Sequence, residues 1–270
     1  REIEAELLGG PVSSAESGLQ STIFRLSLRT PEQASESLLS TTSYTAATME
    51  QVLREFGSVL KESLLFTQHL HSLDIFVRDA SGSLVRIASS HLANAAACAK
   101  PRRAMVDLAS SSVGGGATTQ SPIVYELDIA WSEAGDARGQ QTERWLVCSG
   151  AHVSDEQEAL SRALGAPIAW AAVAAPLSGA AAQGRVFSFL PLPLHSKLPV
   201  HVNGSWALSS NRRELWRAGE QEDRATDAPH NLKGQWNAML SERALPALYA
   251  ALLEHVGFAE ALGALFPRGA

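Results

Sequence analysis

The chain has 270 residues, is 45% hydrophobic and carries a formal net charge of −6. That composition is typical of a globular protein of one large domain or one and a half smaller ones. The acidic balance argues against a broad nucleic-acid surface, which needs a basic face, and no apolar run is long enough to cross a bilayer. Cys98 and Cys148 stand far apart and are too few for a disulfide framework or a zinc site; they are expected to be reduced and buried, which favours an intracellular, cytoplasmic protein. The opening at Arg1, without an apolar leader, is read as that of a fragment or a processed piece.

Residues 1–19 are polar, bear Gly and Ser, and are expected to be loosely ordered. Residues 22–28 alternate apolar and polar, which predicts a strand with one buried face. Its partners are not evident nearby, so it is read as part of a sheet lying upstream. Residues 31–47 are rich in Ser and Thr and read as a linker. A helix is predicted over 48–70, with Thr48 and Gln51 as a capping box and Met49, Leu53, Phe56, Leu60 and Leu64 on one stripe.

Residues 73–77 and 84–87 flank Asp79-Ala80-Ser81-Gly82 and predict a hairpin. Residues 94–119 are Ala-, Ser- and Gly-rich and suggest no regular element. In them Lys100, Arg102 and Arg103 read as a solvated loop. Gly114-Gly115-Gly116 reads as linker, since the Lys-Ser/Thr of a phosphate loop is missing. A second hairpin is predicted from 123–131 and 142–148, around Gly135 to Gly139. Ser154 and Gln157 cap a short helix that stops at Gly165. Residues 168–173 and 186–190 are apolar enough for central strands. Residues 219–230 are charged and aperiodic, hence a mobile loop. Residues 235–256 form a long amphipathic helix that Pro246 could kink.

Chemistry-bearing patterns are few. His69 and His71 lack a carboxylate or Cys set for a metal. His195, His201, Ser209 and Ser210 lack the elbow of a hydrolase nucleophile. The run 184–216 is more informative. Its apolar segment ends at Pro191 and Pro193, and a second run reaches a predicted turn at Asn203-Gly204. Asn211, with Glu214 three residues on, then predicts a helix start. Arg212 and Arg213 would sit at the positive end of that helix, a place suited to phosphate. Three readings of the two arginines stay open: a surface pair bound to Glu214 or the following loop, a guanidinium that reaches a nucleotide γ-phosphate or an acidic surface, or a buried structural arginine. The whole is an α+β domain: hairpins feeding a mixed sheet, with helices on one side.

The string FSFLPLPLHSKLPVHVNGSWALSSNRRELW, residues 187–216, resembles a segment characteristic of the sacsin family. Shorter pieces resemble it too: Thr22-Ile23-Phe24-Arg25, Trp145-Leu146-Val147, Val173-Ala174-Ala175-Pro176-Leu177, Trp236-Asn237 and Leu245-Pro246-Ala247-Leu248-Tyr249-Ala250. Sacsin-like repeats are similar to the ninety-kilodalton heat-shock chaperone. The resemblance therefore implies residues 1–30 as the tail of an ATP-binding lobe of the gyrase, heat-shock and histidine-kinase type, 31–47 as linker and 48–270 as a middle α+β domain. It implies a molecular chaperone in which ATP, with Mg in the full-length protein only, drives handling of client proteins with co-chaperones. The alternative is a non-enzymatic scaffold with a decayed nucleotide site. Thr22 would lie near the adenine, behind Ser21 where the family has glycine. Arg212 or Arg213 would serve catalysis by meeting the phosphate. The other parts of an ATP site are not in this sequence, so the chain alone is not expected to turn over ATP.

Overall fold

The computed structural model describes residues 28–38, 40–79, 81–110, 121–165, 169–177, 183–216 and 228–256. The expected strand 22–28, including Thr22, lies outside them apart from Leu28, as do the triple glycine and residues 219–227. Contacts divide the chain into two units, Arg1–Glu50 and Gln51–Ala270.

In the first unit, the stretch expected as linker carries helix α1, Pro31–Ser35. Thr30 and Gln33 form a reciprocal capping box: Thr30 Oγ1 accepts from Gln33 N, and Gln33 Oε1 from Thr30 N. Helix α2, Ala46–Leu60, begins in the first unit and continues into the second. It starts earlier than predicted because Thr45, not Thr48, is the cap; the two threonines exchange side-chain to backbone bonds. It also stops ten residues early. After Leu60 the chain turns, and Leu64, Leu65 and Phe66 are buried together.

The second unit is built on one eight-stranded sheet. Strands β1 (Ser72–Arg78) and β2 (Leu84–Leu92) form the first expected hairpin. Asp79 Oδ1 accepts from the Ser81 and Ser83 amides and closes the turn. Helix α3, Ala95–Ser110, then forms where no element was expected. Its alanines favour helix intrinsically, and Pro101 does not interrupt it. Strands β3 (Ile123–Glu133) and β4 (Gln141–His152) form the second hairpin. Helix α4, Asp155–Leu164, is capped by Ser154 and ends at Gly165 in the left-handed region, as predicted. Strands β5 (Ala169–Pro176), β6 (Arg185–Ser188), β7 (Leu190–His195) and β8 (His201–Gly204) complete the sheet.

The order is β1-β2-β3-β4-β5-β8-β6-β7. Every neighbouring pair is antiparallel except β6 and β8, which run parallel, so the sheet is mixed. The last strand in sequence is thus inserted between β5 and β6. This corrects the turn expected at Asn203-Gly204: both residues are buried in β8, with Asn203 paired to Ala172 and Phe187. Pro191 and Pro193 lie in β7 at the end of the sheet, where a missing amide donor costs no ladder bond.

Helices cover both faces, not one. On one face Cys148, Ala171, Val173 and Val202 pack with Trp236, Leu240, Leu248 and Leu252. On the other, Trp145, Trp170, Ala172, Ala174 and Phe187 pack with Leu64, Phe66, Cys98 and Met105. Both cysteines are buried free thiols, and burial pushes the Cys148 thiol up to about 12. The C-terminal helical run has three parts: α5 (Ala228–Met239), a π-helical turn (Leu240–Ala244) and α6 (Leu245–Val256). It begins at Ala228, so residues 228–230 are helical rather than loop.

The basic cluster after Asn94 is also corrected. Arg102 is only 4% exposed. Its guanidinium donates to the carbonyls of Leu64, Thr67 and Leu70 and so ties α3 to the turn that follows α2. Arg103, one residue on, is exposed and pairs with Asp107 at 3.2 Å.

Candidate functional site

Residues 205–216 leave the buried end of β8 and close on themselves as a small loop. Its neck is the bridge between Leu208 and Leu215, with Trp216 N donating to Ala207 O at 3.2 Å. Inside the loop, Ser209 N donates to Glu214 O at 2.9 Å and Arg212 N to Ser209 O at 2.8 Å. Asn211 Oδ1 accepts from Arg213 N at 3.0 Å and from Ser209 Oγ at 2.6 Å. Ser209 Oγ accepts from Glu214 N at 3.2 Å. Asn211 therefore caps a turn, not a helix, and the expected helix start within 209–216 is replaced by this hairpin-like loop. The Asn211 side chain does capture a backbone donor, and Asn serves turns as readily as helix caps.

Arg212 stands at the tip with φ 57°, in the left-handed region that a non-glycine residue rarely adopts. Arg212 and Arg213 are both exposed. Among the described residues neither guanidinium makes a salt bridge, with Glu214 or with any other carboxylate.

The loop is braced from below. Asn237, on α5, accepts from Ala207 N at 2.8 Å. Its amide donates to Ala207 O and to Trp216 O, each at 2.8 Å. Trp236 Nε1 donates to Ser205 O at 2.6 Å, Trp216 Nε1 to Leu208 O at 2.9 Å, and Trp206 Nε1 to Phe187 O at 2.9 Å. Lys233 Nζ lies 5.3 Å from the centre of the Trp216 ring. These supports were not foreseen as such. Trp236-Asn237 stood out only as a short string, and nothing local pairs it with residues thirty positions earlier.

A second polar group lies on the opposite sheet face. His201 is 1% exposed, stacks on Trp145 with centroids 5.0 Å apart, and meets Phe187 edge-on. Its Nδ1 accepts from Arg185 N at 3.0 Å, which leaves the proton on Nε2, 3.9 Å from Glu62 Oε2. Burial, and then Arg185 and Lys61, lower the His201 pKa to about 4, so the imidazole is neutral at pH 7. Burial raises the Glu62 pKa, although Arg185 Nε lies 3.7 Å away. Lys61 is engaged elsewhere, by Glu143 at 2.8 Å and by the Trp131 ring. Among the described residues no group of three His, Cys, Asp or Glu side chains could hold a metal ion.

Fold and loop together define an α+β module with a mixed, two-sided sheet that presents two arginines on a braced loop. Sacsin from Homo sapiens is 26% identical to the chain over 245 residues, 86% of this chain, which supports a sacsin-family relationship. The chain spans 5% of the length of that relative. No family model matches the chain, and no solved structure matches it.

Proposed function

We propose that the chain is part of a sacsin-like, cytoplasmic molecular chaperone, and that its arginine loop meets the phosphates of ATP held by a lobe encoded upstream. The observation that carries this reading is the loop itself. Its backbone is held by its own side chains and by α5, its tip residue has a strained backbone, and both guanidiniums face outward. Strained backbone on a braced loop is a recurrent mark of functional positions. A guanidinium is the side chain best matched to phosphate oxygens, and its charge can offset that which develops during phosphoryl transfer. ATP supplies the transferable phosphoryl group, with Mg held by the upstream lobe. This chain supplies the cation and couples its approach to nucleotide occupancy. Thr22 would belong to the adenine side of the same site. Client proteins and co-chaperones are the implied partners.

The test is ATP turnover by the full-length protein carrying Arg212→Ala or Arg213→Ala. At least one variant is expected to lose roughly 10³-fold in kcat, the lower end for an arginine acting on a transferring phosphoryl group. Parent rates from both would leave the loop without a nucleotide role and favour the scaffold alternative.

A further inference from the structure

We infer that Asn237 is the positioning residue of the arginine loop, acting on the phosphate-bound arginine through the loop's neck; this rests on the reading above. One carboxamide holds both strands of the neck. Its oxygen takes the Ala207 amide, and its two N–H groups take the carbonyls of Ala207 and Trp216. Every donor of that side chain is used, and the residue is 5% exposed. Asn is a poor helix former, and an alanine there would suit α5 better. The choice of Asn is explained by the two carbonyls and one amide it satisfies. These belong to the loop that ends in Arg212 and Arg213, not to the core of the sheet.

Asn237 and the tip bonds act in series. Asn237 fixes where the neck leaves the body of the fold. Ser209 and Asn211 fix where the tip points relative to the neck. Loss of either set lets the guanidiniums wander by an ångström or more while their charge stays intact. A displacement of that size at a reacting centre costs about 10²-fold in rate. Asp at 237 would keep the acceptor for Ala207 N and turn an oxygen toward the two carbonyls, so it should act like a deletion.

The experiment uses the full-length protein and ATP as probe, with kcat, KM and the urea midpoint measured for each variant. Asn237→Ala and Asn237→Asp are expected to lower kcat by about 10–100-fold while KM for ATP moves less than about twofold. Ser209→Ala combined with Asn211→Ala touches only exposed bonds and should lower kcat in the same direction with the urea midpoint unchanged. If both Asn237 variants fail to fold, Asn237→Gln, which keeps the carboxamide but shifts it by one methylene, is read in their place and is expected to lower kcat in the same direction. In an Arg212→Ala, Arg213→Ala background, none of these changes should reduce the residual rate further. Folded Asn237 and tip variants with parent kcat, beside inactive arginine variants, would overturn the inference and leave the nucleotide reading standing. Active arginine variants would remove both. An undiminished Asn237 effect in the arginine-free background would show that Asn237 acts on something other than the loop, and would also overturn it.

Discussion

At the scale of single residues, glycine is required at one position and displaced from another. Gly184 precedes β6 and is packed so closely that a Cβ would collide with the carbonyls of Leu198 and Val200 and with Ser196 Oγ. Those same atoms close the loop that returns β7 to β8: Gly184 N donates to Leu198 O, Ser196 N to Gly184 O, and Ser196 Oγ to Val200 O. Two of the three obstacles are backbone, so Gly184→Ala cannot be relieved by a side-chain rotation. It is expected to destabilise the chain by about 3 kcal/mol or more, the range of severe single substitutions; a parent-like urea midpoint would refute the crowding argument. Arg212 is the converse case, a large residue at φ 57° where glycine would be unstrained. Arg212→Gly should therefore raise stability by roughly 0.5–1 kcal/mol in urea unfolding, the left-handed strain it relieves exceeding the chain entropy it adds. A stability loss would mean that the guanidinium, not the backbone, is what holds the loop.

At the scale of elements, legibility in the sequence followed the distance over which each element is determined. Both hairpins and α4 were readable because their signals are local: Asp79 and Gly82 close one turn, Asp136 and Gly139 another, and Ser154 and Gly165 bracket the helix. The end of α2 was not readable. It depends on Arg102, 38 residues after Leu64, whose guanidinium collects carbonyls that a continued helix would have used itself. Read locally, that arginine belonged to a charged loop. The insertion of β8 was hidden for the same reason, since Asn203-Gly204 has the letters of a turn and only its neighbours β5 and β6 make it a strand. The C-terminal run was half legible. Trp236, Leu240, Ala244, Leu248 and Leu252 are all buried at a spacing of four, and on an α-helix that stripe drifts by about 40° per step. The π turn at Leu240–Ala244 underwinds the helix and keeps the stripe against the sheet, immediately before Pro246, whose missing amide also loosens the ladder there. Of the candidate site, the arginines were legible and their support was not, because Asn237 joins the loop from thirty residues away. The Arg102 link is testable at this scale. Arg102→Met keeps the bulk and leaves the buried carbonyls of Leu64 and Thr67, each worth about 1–3 kcal/mol, and the part-buried one of Leu70 without this donor. A loss of about 3 kcal/mol or more is expected in urea unfolding, with Arg102→Lys intermediate because one ammonium cannot span three carbonyls. Parent-like stability in both would show that the turn after α2 holds itself.

At the scale of the whole molecule, Glu62 and His201 contribute to how global stability responds to acid. The two groups act with opposite sign. His201 has a folded pKa near 4 against an ordinary 6.5, because its burial, with Arg185 and Lys61 nearby, disfavours the imidazolium. The unfolded chain thus takes a proton that the folded one refuses. The stability this represents is present above pH 6.5 and is lost as pH falls toward 4; the full fall corresponds to ~3 kcal/mol. Glu62 has a raised folded pKa, chiefly from burial, against an ordinary 4.5. Its contribution is present below that ordinary value and is lost as pH rises through the folded value. Between pH 4.5 and 6.5 the histidine makes the slope of stability against pH positive, and the glutamate opposes it. His201→Gln should therefore flatten the profile by up to about 1.4 kcal/mol per pH unit, whereas Glu62→Gln should steepen it. Urea unfolding of the three proteins at pH 4, 5, 6 and 7 measures both slopes. The two substitutions must move the slope in opposite directions. If they move it together, or not at all, this pair is not what couples protons to folding here, and the acid response arises from other groups, His152 and the hydrogen-bonded Asp79 and Asp136 among them.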